Sequence, residues 1–203
     1  MPISAKAIEI VRSMPAATLY EAAGKWGDMD PLIRALVPGQ RMAGPAFTLR
    51  TKPGDNLDVL LAIDEAPAGS VLVIDGGGTL RVTIWGGTST VAAQKKRLAG
   101  CVTNAAVRDL EEIVAAKFPV FAPGVAVRGT VKDHKGWMGV TICVGDVMIS
   151  PGDFVVGDSD GVVVLPADRV EEIAAAAVTQ RHKEQDWERR IRNGESFKSI
   201  MNL

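Results

Sequence analysis

The run Val71-Leu72-Val73-Ile74-Asp75 places the tightest limit on what this chain can become. It shows no polar alternation, and a continuous apolar run of this length is what a strand buried on both faces of a sheet requires. Pro67-Ala68-Gly69 breaks a helix before it, and Gly76-Gly77-Gly78 permits a tight turn with positive φ after it. Both faces of such a strand need cover, which points to an α/β domain.

The flanking segments support that class. Ser4 is placed to cap a first helix through Arg12, and Thr18-Leu19-Tyr20-Glu21 matches a capping box that starts a second helix ending near Gly24 or Gly27. Residues 25–40 read as a long loop. Met42 to Thr51 reads as a strand, and Pro53-Gly54-Asp55-Asn56 as a turn that caps a helix from Leu57 to Glu65. Thr88 to Ala99 reads as a helix with Gly100 as its C-cap, followed by a short strand, Cys101 to Thr103, and a helix from Asp109 to about Ala116.

From Val120 onward the texture is β-rich. The runs Val125 to Val131, Val140 to Val144, Val147 to Ile149, Phe154 to Val156 and Val162 to Leu165 are separated by Gly, Pro and Asp and read as strands joined by tight turns. Asp168 then caps a final helix, about 168–193, that Gly194 ends. Its apolar half, Val170 to Val178, should pack on the body, and its charged half, Arg181 to Arg192, should extend. The expectation is a single α/β domain over residues 1–203 with a mixed sheet, and no repeat or linker. Gly76-Gly77-Gly78 lacks the GxGxxG spacing of a dinucleotide-binding turn, and no GxxxxGK[ST] is present.

Charge and cysteine usage exclude several functions. With 23 basic and 24 acidic residues the net charge is -1, so no surplus draws nucleic acid by phosphate neutralisation. Cys101 and Cys143 are isolated in apolar runs and read as reduced core residues. His134 and His182 lie 48 positions apart, so any metal should be a hard, oxygen-liganded cation. No stretch approaches the roughly 20 apolar residues of a membrane span, and the charged N-terminus does not read as a signal peptide; a cytoplasmic protein is expected.

The candidate site lies between Gly86 and Glu112. Gly86, Gly87, Thr88 and Ser89 open a helix whose free N–H groups and dipole suit a carboxylate or phosphate, although a flexible turn with Thr88 as cap would read the same way. Arg108-Asp109-Leu110-Glu111-Glu112 opens another helix, and Asp109 with Glu112 also fits a capping-box variant worth about 1 kcal/mol. Capping leaves Arg108 unexplained, because the dipole disfavours a cation at a helix start; an anion to bind explains it.

Taken together, Gly87, twenty intervening residues, Arg108-Asp109, two residues and Glu112 form a long-range pattern. With VLVIDGGG and WGG upstream and VAVRGTVKD and PGDFVVGDSDGVVVLP downstream, the chain resembles the RraA-like group, which includes 4-hydroxy-4-methyl-2-oxoglutarate and 4-carboxy-4-hydroxy-2-oxoadipate aldolases. The resemblance spans about residues 15–195 and meets every fixed position of the aldolase signature G-x20-R-D-x2-[ED]. It implies a layered α/β/β/α-type sandwich, commonly a trimer, with the site at a subunit boundary. By the same resemblance Arg108 would hold the pyruvyl carboxylate or carbonyl, and Asp109 would ligate a divalent metal, Mg2+ or alternatively Mn2+. Glu112 would orient metal-bound water, and the amides of Gly86, Gly87, Thr88 and Ser89 would bind substrate. Thr79 and Asn104 stand where the group often carries aspartate, and Thr88-Ser89 where it often reads Leu-Leu.

The activity so implied is metal-dependent retro-aldol cleavage of a small 4-hydroxy-2-oxo acid through a pyruvate enolate, with oxaloacetate decarboxylation as a related reaction. No Schiff-base lysine is required, and Lys95 and Lys96 read as solvated. Either water oriented by Glu112 or a carboxylate of a neighbouring subunit, with Glu184 a candidate, would serve as base. His134 reads as a surface loop residue. The alternative within the same group is a non-catalytic, protein-binding regulator of RNA decay.

Overall fold

The computed structural model describes residues 3–203. Helices α1 (Ala5–Ser13) and α2 (Ala16–Ala22) open the chain, followed by strands β1 (Arg34–Ala35) and β2 (Met42–Arg50). Helix α3 (Leu57–Glu65), β3 (Val71–Asp75), β4 (Thr83–Trp85) and α4 (Gly87–Lys95) come next. They lead to β5 (Gly100–Thr103), β6 (Ala106–Val107), α5 (Leu110–Ala116) and β7 (Val120–Ala122). The β-rich part holds β8 (Trp137–Met138), β9 (Ile142–Val144), β10 (Val147–Ile149), β11 (Phe154–Asp158) and β12 (Gly161–Leu165). A 3-10 turn, Ala167–Arg169, leads into α6 (Val170–Arg192), and α7 (Phe197–Met201) follows.

The main sheet is mixed, in the order β1-β7-β5-β3-β2-β11-β12, with β8 added on β2. Strands β2, β3, β5 and β7 are parallel neighbours, whereas β1, β8, β11 and β12 pair antiparallel. Strand β3 shows why its sequence lacks alternation. Leu72 and Ile74 pack with Val59 and Ile63 of α3 and Ile113 of α5, while Val71 and Val73 point to the other side. There they meet Val155 and Val164 of β11 and β12 and Ile142, Val144 and Ile149 of the β9–β10 hairpin. The four apolar side chains of β3 are fully buried, each contributing about 1.5–3 kcal/mol.

The opposite faces of β11 and β12, carrying Phe154, Val156, Val163 and Leu165, pack on α1, α2 and the first half of α6. The first half of β2 pairs with β11 and its second half with β3, so the one sheet folds back on itself with helices on both outer faces, matching the expected α/β class with a mixed sheet. The buried residues of α6 are Val170, Ile173, Ala174 and Ala177, and its charged half carries intrahelical ion pairs, as its composition dictates. Among the described residues no helix is long and apolar enough to cross a membrane.

Several local expectations are corrected. Helix α2 starts at Ala16 rather than at the Thr18 box, because Asp158 Oδ2 accepts the Ala16 N–H at 2.8 Å and caps the helix from across the fold. Helix α4 stops at Lys95, with Arg97 in the left-handed region at φ 58°. Gly100 is no C-cap but the first residue of β5, where a Cβ would lie 2.9 Å from Met42. Residues 125–131 form no strand; they touch neighbours through isolated bridges at Val125 and Val131. Asp168 lies inside the 3-10 turn and does not cap α6. Cys101 is buried, its thiol pushed up by desolvation, but Cys143 points outward because β9 turns Ile142 and Val144 inward.

Candidate functional site

Strands β4 and β6 are parallel neighbours, so the chain leaves both in the same direction. Strand β4 runs through Gly86 into α4, and β6 runs through Arg108-Asp109 into α5. The Arg108 N–H donates to the Trp85 carbonyl at 3.0 Å, which ties the two exits together. The twenty residues between Gly87 and Arg108 are therefore the length of one helix, β5 and the return into β6. Trp85 is held rigidly beneath. Its Nε1–H donates to Thr90 Oγ1 at 2.9 Å, and its ring stacks on Phe118 with centroids 6.1 Å apart.

Asp109 sits at φ 57°, ψ 42°, a left-handed conformation that costs a non-glycine residue of the order of 1 kcal/mol. It occupies the N-cap position of α5, yet its side chain makes no capping bond. Instead Oδ2 accepts the Gly87 N–H at 3.0 Å and lies 3.5 Å from Arg108 Nε. The strain turns a carboxylate away from its own helix and onto the start of the other.

The two glycines are required by close approach. A Cβ on Gly86 would stand 2.6 Å from Asp109 Oδ2, and a Cβ on Gly87 would coincide with the Glu112 carboxylate. Of the four amides expected to bind substrate, that of Gly87 is already engaged by Asp109. Those of Thr88 and Ser89, in the first turn of α4, have no intrahelical acceptor.

A cleft of about 190 Å³ opens here, lined by Gly86, Thr88, Ser89, Arg108 and Asp109. It is smaller than the roughly 300–1,000 Å³ of drug-sized sites, which suits a small organic acid. Glu112 stands against Gly87, and neither of these two is among the residues that line the cleft. Leu60, Ile84 and Trp85 form an apolar wall. Asn56, Thr130 and Lys132 also line it, beyond the residues that the Gly87–Glu112 spacing marks. Lys132 adds a second cation to Arg108, whose guanidinium lies over Gly129, 3.0 Å from where a Cβ would be.

Buried Asp55 brings that outer wall into place. Its carboxylate accepts the N–H groups of Leu57, Asp133 and His134, joining the start of α3 to the loop after Thr130. Burial alone would raise its pKa, but these backbone bonds and the His134 ring together hold it below the usual carboxylate value. His134 thus serves Asp55 and does not line the cleft.

Other candidates lie elsewhere. Glu184 accepts from Thr18, Gln180 and Arg181 on the α6 side of the same chain. Lys96 bonds the Asp64 carbonyl, and Lys95 points to solvent. Thr79 Oγ1 accepts the Arg81 N–H in a turn outside the cleft, and Asn104 bridges Gly76 and Asp75.

Among the described residues no group of three or more His, Cys, Asp or Glu forms a metal cage. The carboxylates of Asp109 and Glu112 nevertheless converge on the Gly86-Gly87 turn, an all-oxygen donor set. That set fits a hard cation that keeps several waters and takes one or two protein carboxylates, as Mg2+ does, and does not fit a fully caged ion.

Comparison with known proteins supplies a context for this geometry. The pattern of the RraA-like family, described as Aldolase/RraA, matches residues 16–164. A protein of Halalkalibacterium halodurans provisionally named 4-hydroxy-4-methyl-2-oxoglutarate aldolase is 34% identical over 180 residues, covering 89% of this chain and 86% of its own. An uncharacterised protein from Pseudomonas syringae superposes with a TM-score of 0.87 at 26% identity, covering 99% of both chains. The RNA-processing inhibitor RraA from Thermus thermophilis superposes with a TM-score of 0.70 at 32% identity, over 75% of this chain and 92% of its own.

Proposed function

The chain belongs to the RraA-like family, and from that premise we propose that it is a divalent-metal-dependent lyase of small 4-hydroxy-2-oxo acids, acting in the cytoplasm. The reaction is retro-aldol cleavage. The C4 hydroxyl loses its proton, the C3–C4 bond breaks, and its electron pair moves toward the C2 carbonyl to give pyruvate enolate. Protonation at C3 then yields pyruvate, and the C4 fragment leaves as a carbonyl compound. Oxaloacetate, which reaches the same enolate by losing carbon dioxide, is a second substrate. The observation that carries this reading is strained Asp109, turned off its own helix onto Gly87 beside Arg108 at the mouth of a small cleft.

Each residue has a task. Arg108 and Lys132 bind the carboxylate and hold the C2 oxygen as negative charge develops there, with the Thr88 and Ser89 amides at the positive end of α4 assisting. Leu60, Ile84 and Trp85 exclude water from the apolar side. Asp109 and Glu112 would hold a divalent cation, Mg2+ or Mn2+, and its water. When bound, such a cation supplies Lewis-acid polarisation of the 2-oxo acid oxygens. Glu112, next to Gly87, would orient the base that takes the hydroxyl proton.

We also propose a homo-oligomer, a trimer by resemblance. The stretch beside the cleft exposes Val125, Val127, Val131 and Trp137, with Val127 92% exposed, and a second copy would cover it.

Pyruvate release from 4-hydroxy-4-methyl-2-oxoglutarate, followed with and without Mg2+, tests the assignment. Turnover that appears with Mg2+ and disappears with EDTA is expected. Arg108→Lys should lower kcat/KM by about 100-fold, because a point charge does not replace a planar two-pronged donor. A lack of turnover on any 2-oxo acid, together with capture of an RNA-decay protein, would favour the regulator reading suggested by the Thermus neighbour.

A further inference from the structure

An acidic residue in the first turn of a helix ordinarily stands in water and complements the dipole. Asp58 of α3 is instead 2% exposed. Three residues after Asp55, it would be expected to reach back to the Asp55 N–H as a capping partner. That N–H is taken by the Lys52 carbonyl at 3.0 Å, and Asp58 Oδ2 accepts the Gly136 N–H. The strap it grips has nothing to bury, because residues 131–135 are all exposed. Apolar packing therefore does not hold it, and its hydrogen bonds must. At one end the Val131 N–H donates to the Gly54 carbonyl at 2.9 Å, and the Asn56 N–H to the Val131 carbonyl at 3.1 Å. In the middle Asp55 Oδ2 accepts from Asp133 at 3.0 Å and from His134 at 2.7 Å. At the far end stands the Asp58 bond to Gly136, a residue seated so closely that a Cβ would run into the Arg50 carbonyl oxygen of β2.

We infer that Asp58 is a positioning residue: with Asp55 it clasps the strap onto the start of α3 and so sets where the Lys132 cation stands at the cleft. The inference rests on the lyase reading, in which Lys132 binds the substrate's carboxylate and steadies its C2 oxygen. Lys132 lies between the Val131 and Asp133 anchors and lines the cleft with Arg108. A lysine carries a point charge on a flexible stem, so its aim depends on where its backbone is held. Asp55 fixes the strap just after Lys132, but alone it leaves the following residues free to swing about the His134 bond. Asp58 closes that freedom at Gly136, and Trp137 then joins the main sheet by pairing with Arg50. Both carboxylates leave the same end of α3 that supplies Asn56 and Leu60 to the cleft, so cation and cleft share one rigid support. Without the Asp58 bond the strap is held at one side only, and the cation shifts relative to Arg108.

The test is a double-mutant cycle on kcat/KM for pyruvate release from 4-hydroxy-4-methyl-2-oxoglutarate with Mg2+. It compares the unmodified protein, Asp58→Ala, Lys132→Ala and the double variant, each assayed well below its own unfolding temperature. Gly136→Ala, which unseats the strap and leaves both carboxylates in place, reaches the same defect by a second route. Amide hydrogen exchange follows the strap without relying on turnover. Asp58→Ala and Gly136→Ala should each lower kcat/KM by about 10-fold, within the loss that a misplaced group produces. In Asp58→Ala the Gly136 N–H should exchange about 10-fold faster or more, while the β3 amides keep their protection. On the Lys132→Ala background, Asp58→Ala should cost less than about 2-fold, because its effect runs through a cation that is no longer there. An equal loss on both backgrounds would overturn this inference and leave the lyase reading standing. So would Asp58→Ala with the turnover, or the Gly136 exchange rate, of the unmodified protein. No pyruvate release by the unmodified protein would overturn the lyase reading and this inference with it.

Discussion

A methyl group added at Gly87 would land on the Glu112 carboxylate, and one at Gly86 would crowd Asp109. The signature glycine is therefore a packing requirement of the acidic residues that follow it by more than twenty positions. Glu112 can swing its flexible end aside, so Gly87→Ala should fold, with its unfolding temperature lowered by no more than a few degrees. Pyruvate release should nonetheless fall by about 100-fold, the scale of loss for a roughly 1 Å misplacement. Steady-state kinetics beside a melting curve would show the split. This pairing was legible in the sequence as spacing, and Arg108 was legible as a cation in a place the helix dipole disfavours. The orientation of Asp109 was not legible, because a residue in the N-cap position followed by glutamate three places on also satisfies a local capping rule. Only the left-handed backbone at Asp109 decides between the two.

Among the elements, the start of α3 and the loop after Thr130 are joined by one buried carboxylate. Asp55 is 1% exposed and accepts three backbone N–H bonds, so Asp55→Asn should destabilise the fold by about 1–3 kcal/mol at neutral pH. Its folded pKa lies below the unfolded value of about 3.9. The stabilisation it supplies is thus fully present above about pH 4 and is lost as pH falls through the folded pKa. Urea unfolding of the two proteins between neutral and acid pH should show curves that converge at the acid end; a difference that stays constant would rule out the ionised carboxylate as its source. Strand β3 was readable because two-sided burial writes itself locally, in four consecutive apolar side chains. The start of α2 was not, because its cap is Asp158, 142 residues away. Asn56 and Lys132 were not legible as site residues for the same reason: the Asp55 clamp, not sequence proximity, brings the α3 turn and the 130–132 segment to the mouth of β4 and β6.

For the molecule as a whole, a separate two-stranded parallel sheet places the ends of β4 and β6 side by side and lets each launch a helix. One helix start offers amides, the other an arginine and carboxylates, and the cleft lies between them. Beside that cleft the segment 125–131 presents apolar side chains to solvent, among them Val127 at 92% exposure. Light scattering of the purified protein should report a mass several times that of one chain. Val127→Asp should shift it toward the monomer, and an unchanged mass would place the interface elsewhere. The central claim is narrower: the two helix starts form one lyase site through Asp109. It is tested most directly by pyruvate release from 4-hydroxy-4-methyl-2-oxoglutarate in the Asp109→Asn protein, which keeps an oxygen for the Gly87 amide and tolerates the left-handed backbone but loses the charge. An unfolding temperature within about 2 °C of the unmodified protein and a kcat/KM lower by about 100-fold or more are expected; turnover equal to that of the unmodified protein would contradict the account.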